Sequence, residues 1–304
     1  SLINKLEGVK LALIGYEILF PPFLSLALSN CHIKTAAVQE RLLAPLWMWH
    51  KIVLDYYFIF GASTEEVIKK GLEWCHVKNT HKVGVLKTDI VKNEETKGIN
   101  RKYKRIKDEC FILLALDYIP TNYKIENVEY AVSNWKNLKI FYIDMIRLAS
   151  NIPGLFIIIK GKDASIITHP EFQDIFNIIN AMPNIKVVDD VITDSPSKMI
   201  ALADAAVALY TSMADELLAA GKPVIFYDYF GIPSPYFNYE NYPVIVKTYH
   251  ELEKRICKLV SNNDFMDAQQ FNEMRCRLYE GNANGKVKSI LNKRLENMYF
   301  EVSA

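Results

Sequence analysis

Across residues 110–228, short apolar runs alternate regularly with segments of helical period, and this constrains the chain more than any other feature. FILLALDY (111–118), GLFIIIKG (154–161), NIKVVDD (184–190), AAVALYT (205–211) and KPVIFYD (222–228) each read as a strand. Between the first two, Trp135, Leu138, Phe141, Tyr142, Met145 and Leu148 recur at helical spacing. Helices are also predicted over 172–182, 197–205 and 214–221, the last stopped by Gly221. Strands that alternate with helices form a parallel sheet with crossover helices, so this stretch predicts a doubly wound domain.

The first ninety or so residues repeat the pattern. VKLALIGYE (9–17) reads as a strand buried on both faces, and IKTAAVQ (33–39), DYYFIFG (55–61) and HKVGVL (81–86) read as further strands. Pro21 and Pro22 open a helix that runs to about Asn30, since the first turn has no use for their missing N–H groups. Ser63 or Thr64 is placed to cap a second helix, with Glu65 and Glu66 at its positive end. Val9 already looks like a central strand with almost nothing before it. The first domain is therefore expected to be incomplete at its start, with roughly 100 further residues in the full-length product. The polar run VKNEETKGINRKYKRIKDE (91–109) reads as a solvated linker, with a membrane-surface or acidic-substrate patch as the sharper alternative.

The expected fold class is α/β, with two Rossmann-like doubly wound parallel-sheet domains. Residues 1–108 form the partial first domain and linker, 109–265 the second domain, and 266–304 a helical segment broken at GNANG (281–285). A length of 304 residues suits two domains of roughly 150 each. Lys and Arg total 36 against 35 Asp and Glu, so the charge balance makes no case for a nucleic-acid partner. Five scattered cysteines form no CxxC pair, which indicates neither a zinc site nor a disulfide framework and fits a reducing, cytoplasmic setting. The opening residues do not read as a secretory signal. The longest apolar stretch, 11–28, holds Glu17 and two prolines, too broken for a membrane span of about 20 apolar residues.

In open parallel sheets, ligands bind beyond the carboxyl ends of the strands. One such end carries Lys160, Gly161 and Lys162. The lysines can face phosphates and the glycine allows close backbone approach; an ordinary turn with solvated lysines is the competing reading. A second carries Thr211 and Ser212: either is placed to cap the helix that begins there, and the same exposed N–H groups and hydroxyls suit a diphosphate. Glu216, one turn in, can hold two ribose hydroxyls or serve as a capping-box carboxylate. A third, in the first domain, carries Glu40. It can act as a general base on an acceptor hydroxyl, or else start a helix or pair with Arg41. His169-Pro170 either brackets a nucleotide or marks a helix boundary, Asp89 starts a turn, and Asp228 and Tyr229 close a strand near the cleft. No His, Cys or carboxylate set has metal-ligand spacing, and there is no P-loop, GxGxxG or GxSxG motif.

The segment ALADAAVALYTSMADELLAAGKPVIFYD (201–228) resembles the donor-site region of GT-B glycosyltransferases. FIIIKGKD resembles the earlier strand of that group, whose following loop carries a basic residue for the donor phosphates. VQER followed by DYYFIFG, and KVGVLKTD, resemble the end of the acceptor domain in bacterial surface and capsular polysaccharide transferases, and the resemblance runs over about 9–291. It implies that Lys160 and Lys162 neutralise donor phosphates, Thr211 and Ser212 hydrogen-bond them, and Glu216 holds the ribose. Where relatives carry a His-Gly pair this chain has Glu40-Arg41, and where some carry His-Pro it has Gly161-Lys162. The implied activity is sugar transfer from a nucleotide-sugar donor to a glycan or lipid-linked acceptor, with no metal and no cofactor beyond that co-substrate. The implied place is the cytoplasm, including the inner face of a membrane as a peripheral partner. A sugar-nucleotide epimerase of the UDP-N-acetylglucosamine 2-epimerase type shares the architecture, and a non-catalytic nucleotide-sugar-binding module is the other alternative.

Overall fold

A computed structural model describes residues 8–42, 51–70, 75–97, 106–117, 124–125, 128–129, 135–161, 164–188, 195–209, 211–230, 238–261, 266–280 and 286–303. The chain first lays down β1 (Leu11–Ile14), α1 (Pro22–Asn30), β2 (Lys34–Val38), β3 (Ile52–Ile59), α2 (Ala62–Lys70), β4 (Cys75–Lys82) and α3 (Lys87–Lys97). Next come β5 (Phe111–Leu116), a hairpin of β6 (Lys124–Ile125) and β7 (Val128–Glu129), α4 (Trp135–Asn151), β8 (Leu155–Lys160), α5 (Gln173–Ala181) and β9 (Ile185–Val187). These are followed by α6 (Pro196–Leu202), β10 (Ala205–Ala208), α7 (Ser212–Ala219), β11 (Val224–Tyr227), β12 (Ile245–Val246) and α8 (Tyr249–Val260). The chain ends with α9 (Ala268–Tyr279) and α10 (Val287–Ser303). Two compact units result: Ser1–Asp89 with Asn272–Ala304, and Ile90–Phe271.

The first unit holds a parallel sheet in the order β1-β2-β3-β4. One face packs Ile14, Ala37, Tyr57, Ile59, Val67 and Ile68 together. On the other, Ala36, Phe58 and Val83 meet Leu291 and Met298 of α10. The second unit holds six parallel strands in the order β12-β11-β10-β5-β8-β9. Its chain winds outward from β5 through β8 and β9, then crosses back and winds outward again through β10, β11 and β12, which is the doubly wound topology. Every residue of β8 is buried, as its unbroken apolar run requires. The stripe on α4 behaves as its spacing predicts: Leu138, Phe141, Tyr142, Met145 and Leu148 all lie in the core of this unit.

Several elements differ from expectation. Among the described residues β1 is an edge strand and not one buried on both faces, with Leu13 59% exposed. The fourth strand is Cys75–Lys82, not 81–86. It is a polar edge strand, and the apolar Val83 and Val85 follow it, buried. Helix α2 starts at Ala62, so Ser63 and Thr64 lie buried in its first turn rather than capping it. The charged run 91–109 is not all linker: α3 carries it through Lys97. Asp89 does not start a turn but lies in the first turn of α3. Helix α8 was not anticipated, although Thr248 and Glu251 form a full capping box at its start. Among the described residues, no helix is long and apolar enough to cross a membrane.

Candidate functional site

The strand order of the second unit reverses between β5 and β10, and the crevice beyond the carboxyl ends of those two strands is where such sheets bind ligands. Asp117 directly follows β5 and is buried; the Tyr142 hydroxyl donates to its Oδ2 at 2.7 Å. Burial and the neighbouring Asp117 charge push the Tyr142 phenol well above its ordinary range, so it remains the donor. Lys160 ends β8, the other neighbour of β5, in register with Leu116. It is not a solvated turn lysine: only 8% of it is exposed, with Nζ 3.4 Å from the Gly161 carbonyl oxygen. Lys162, expected beside it, lies outside the described residues.

Beyond β10, Thr211 is the N-cap of α7, with φ −155° and ψ 140°, and its Oγ1 accepts the Met213 N–H at 3.3 Å. Ser212 opens the helix, so both hydroxyls sit at its positive end. Asp215 shares the first turn and accepts a hydrogen bond from the Tyr239 hydroxyl. With Thr211 as cap, the third helical residue is Ala214, so Glu216 stands two positions too far along to close a capping box. Glu216 is half-buried. The lysine of the GKPVI segment holds the structure together locally. Lys222 Nζ donates to the carbonyls of Ala201 and Ala203 at 3.1 and 2.9 Å and pairs with Glu95 at 3.3 Å. His169 marks a helix boundary, since its Nδ1 accepts the Glu171 N–H and its ring stacks on Trp135 at 3.7 Å. Asp228 is buried after β11, and the Tyr229 hydroxyl donates to the Asn137 carbonyl at 2.8 Å.

In the first unit, Glu40 follows β2 and accepts a hydrogen bond from Lys87 Nζ at 2.9 Å. Its ion pair is therefore with Lys87, while Arg41 donates to the Tyr16 hydroxyl instead. Gln39 ties three segments together: its Nε2 donates to the Arg41 carbonyl at 2.8 Å and Thr64 Oγ1 at 3.0 Å, and its Oε1 accepts the Phe60 N–H at 2.6 Å. Behind Glu40 lies Glu17, whose Oε1 accepts the Glu40 N–H at 3.0 Å and the Tyr57 hydroxyl at 2.8 Å. Asp117 and Glu17 were not singled out as site residues from the sequence. A signal existed for each: an acid straight after an apolar strand, and an acid interrupting an apolar stretch.

No protein-family model matches the chain, and no curated protein does. Solved structures do. The UDP-GlcNAc 2-epimerase of Neisseria meningitidis bound to UDP-GlcNAc superposes with a TM-score of 0.64, over 97% of this chain and 79% of that one, at 12% identity. The wall teichoic acid polymerase TagF gives 0.55 over 89% and 69% at 13% identity. The α,α-trehalose 6-phosphate synthase of Burkholderia multivorans gives 0.56 over 99% and 75% at 9% identity. The chain has a GT-B-type fold. Its two units are the Rossmann-like units of that fold, and at these identities the likeness is one of architecture. The GT-B frame is shared by epimerases and transferases, so the reaction has to be argued from side chains.

Proposed function

We propose that this chain binds a nucleotide-activated sugar at the β5–β10 crevice and transfers the sugar to a hydroxyl of a glycan or lipid-linked acceptor, in surface polysaccharide synthesis at the cytoplasmic side of a membrane. One observation carries the reading: a buried cation, Lys160, and a capped helix start, Thr211-Ser212, share the carboxyl end of a doubly wound sheet, with Glu216 one turn further on. In this scheme Lys160 and Lys162, together with the helix N-terminus and the two hydroxyls, meet the charge that develops on the departing phosphate. That stabilisation requires no metal. Glu216 takes two ribose hydroxyls. Glu40 is the proposed base; Lys87 Nζ donates to one of its two carboxylate oxygens at 2.9 Å, and the other oxygen can take the proton.

Thermal shifts with UDP, GDP, CDP and CMP test the donor site, on the parent and on Glu216→Ala and Lys160→Met. A ligand at about 100 times its Kd stabilises the folded state by about 2.7 kcal/mol, a shift of several degrees. One nucleotide class is expected to stabilise the parent and neither variant. A panel in which no nucleotide shifts the parent would sink the proposal. The epimerase reading is the alternative, because the GT-B frame is common to epimerases and transferases. Incubation with UDP-GlcNAc and no acceptor separates the two: an epimerised or cleaved product favours the epimerase, and an unchanged donor consumed only when a glycan acceptor is added favours transfer.

A further inference from the structure

The first unit contains a cavity of about 350 Å³ between α1 and the middle of the sheet. Its polar lining comes from Ser25 and Ser29 on α1, Thr35 on β2, Asp55 on β3, and His76 and Lys78 on β4. Ser25 is 3% exposed and its hydroxyl has no hydrogen-bond partner among the described residues. A buried hydroxyl left unpaired is unfavourable, so a group that enters the cavity and pairs with it recovers that loss.

The acid in this cavity is already committed. Asp55 Oδ2 accepts the Thr35 N–H at 2.9 Å and the Thr35 hydroxyl at 3.2 Å, and Oδ1 accepts from Lys78 Nζ at 2.8 Å. Lys34 Nζ stands 3.8 Å from the same Oδ1, so two cations share one carboxylate. Burial works against the Asp55 charge, but the Lys78 and Thr35 hydrogen bonds outweigh it and hold the carboxyl below its ordinary value. What the cavity has left to offer, beside the apolar Leu26, Val53, Leu54 and Val77, is therefore donors: the Ser25 and Ser29 hydroxyls, the His76 ring and the spare protons of Lys78. The complement is an oxyanion that also carries hydroxyls. The volume lies at the low end of the roughly 300–1,000 Å³ that small-molecule sites span, which suits a monosaccharide phosphate.

We propose that this cavity is a binding site for a small hydroxylated oxyanion the size of a monosaccharide phosphate, separate from the nucleotide site of the second unit. Ser25 hydrogen-bonds a ligand hydroxyl at the floor, and His76 and Lys78 receive the anionic group at the mouth.

Calorimetric titration of the full chain with glucose 6-phosphate, glucose 1-phosphate, inorganic phosphate and free glucose, with UDP present throughout, tests this. Ser25→Ala and His76→Ala are the variants, because both leave the Asp55 pairs intact. A hexose phosphate is expected to bind more tightly than either phosphate or glucose alone. Each variant should weaken it about tenfold, the order that loss of a hydrogen bond to a charged or buried group produces. Unaltered melting of the variants without ligand would show that they remain folded. The inference is overturned if no hexose phosphate binds, or if it binds parent and variants alike. Inorganic phosphate binding as tightly as the sugar phosphates would also overturn it, since that is a charge patch and not a hydroxyl-reading site. The UDP response is scored separately, so a failed nucleotide site and a failed cavity give different results.

Discussion

Glu17 shows how much can turn on one carboxyl. It is 2% exposed, its Oε1 takes two hydrogen bonds, and its Oε2 has no partner among the described residues. Burial raises its pKa above the ordinary carboxyl value, and the Glu40 N–H and Tyr57 hydroxyl only partly offset this. A folded pKa above the unfolded one means that the folded state holds the proton more tightly. The resulting stabilisation is complete below the unfolded value of about 4.3 and is lost as pH rises through the folded value. Glu17→Gln keeps an acceptor for both donors and removes the titration. Urea midpoints at pH 5 and pH 8 should therefore fall less with rising pH in the variant than in the parent. An identical fall would assign the dependence to other groups. None of this was legible from the sequence, where Glu17 served only to break an apolar stretch: its partners are 23 and 40 residues away along the chain. Lys160, Thr211 and Ser212 were legible as candidates, because each stands directly where a strong apolar strand runs out. The cap was legible too, since a Thr-Ser pair before a helical run predicts it and Thr211 fills it; the burial of Lys160 was not, since that depends on the neighbouring strands.

Elements were readable in proportion to how completely they are buried. Strands β5 and β8 and helix α4 lie in the middle of a core, so their apolar patterns are unambiguous. β4 was misplaced because an edge strand carries polar residues while the loop after it is covered. Local backbone chemistry supplies two tests at this scale. Helix α1 ends in a Schellman motif: the Ile33 N–H reaches the Leu28 carbonyl at 3.0 Å and the His32 N–H reaches Ser29 at 2.9 Å. His32 holds the left-handed position, φ 59°, that glycine fills at least cost. His32→Gly is expected to stabilise the protein by about 0.5–1 kcal/mol in denaturant melts; a loss would show that the imidazole makes a compensating contact. Gly61 is constrained differently, by space. A Cβ there would lie 2.7 Å from the Arg277 carbonyl oxygen and 2.8 Å from the Leu278 backbone. Backbone cannot swing aside as a side chain can, so Gly61→Ala should cost about 1–3 kcal/mol by the same measurement. A neutral result would mean that α9 sits further from the β3–α2 turn.

At the scale of the whole molecule, the first unit is made from both ends of the chain, 1–89 and 272–304. The sequence showed the alternation of strands and helices within each stretch but not this closure, because the joining contacts span about two hundred residues. Asp89 makes one of them: its Oδ1 accepts the Val287 N–H at 3.1 Å and its Oδ2 the Lys288 N–H at 2.7 Å, capping α10 from the far end of the unit. Val287, Leu291 and Met298 of that helix are buried. Each such side chain contributes roughly 1.5–3 kcal/mol, so together they match much of the 5–15 kcal/mol by which a typical domain is stable. Deleting 287–304 should therefore unfold the first unit while the second, which is wholly made from 90–271, keeps its core. Calorimetry of the truncated chain is expected to lose the transition of the first unit and to retain one further transition. Loss of both transitions would mean that the second unit depends on the first for its stability. A profile identical to the parent would mean that α10 adds nothing to the sheet face it covers, and that Ala36, Phe58 and Val83 are buried well enough without it.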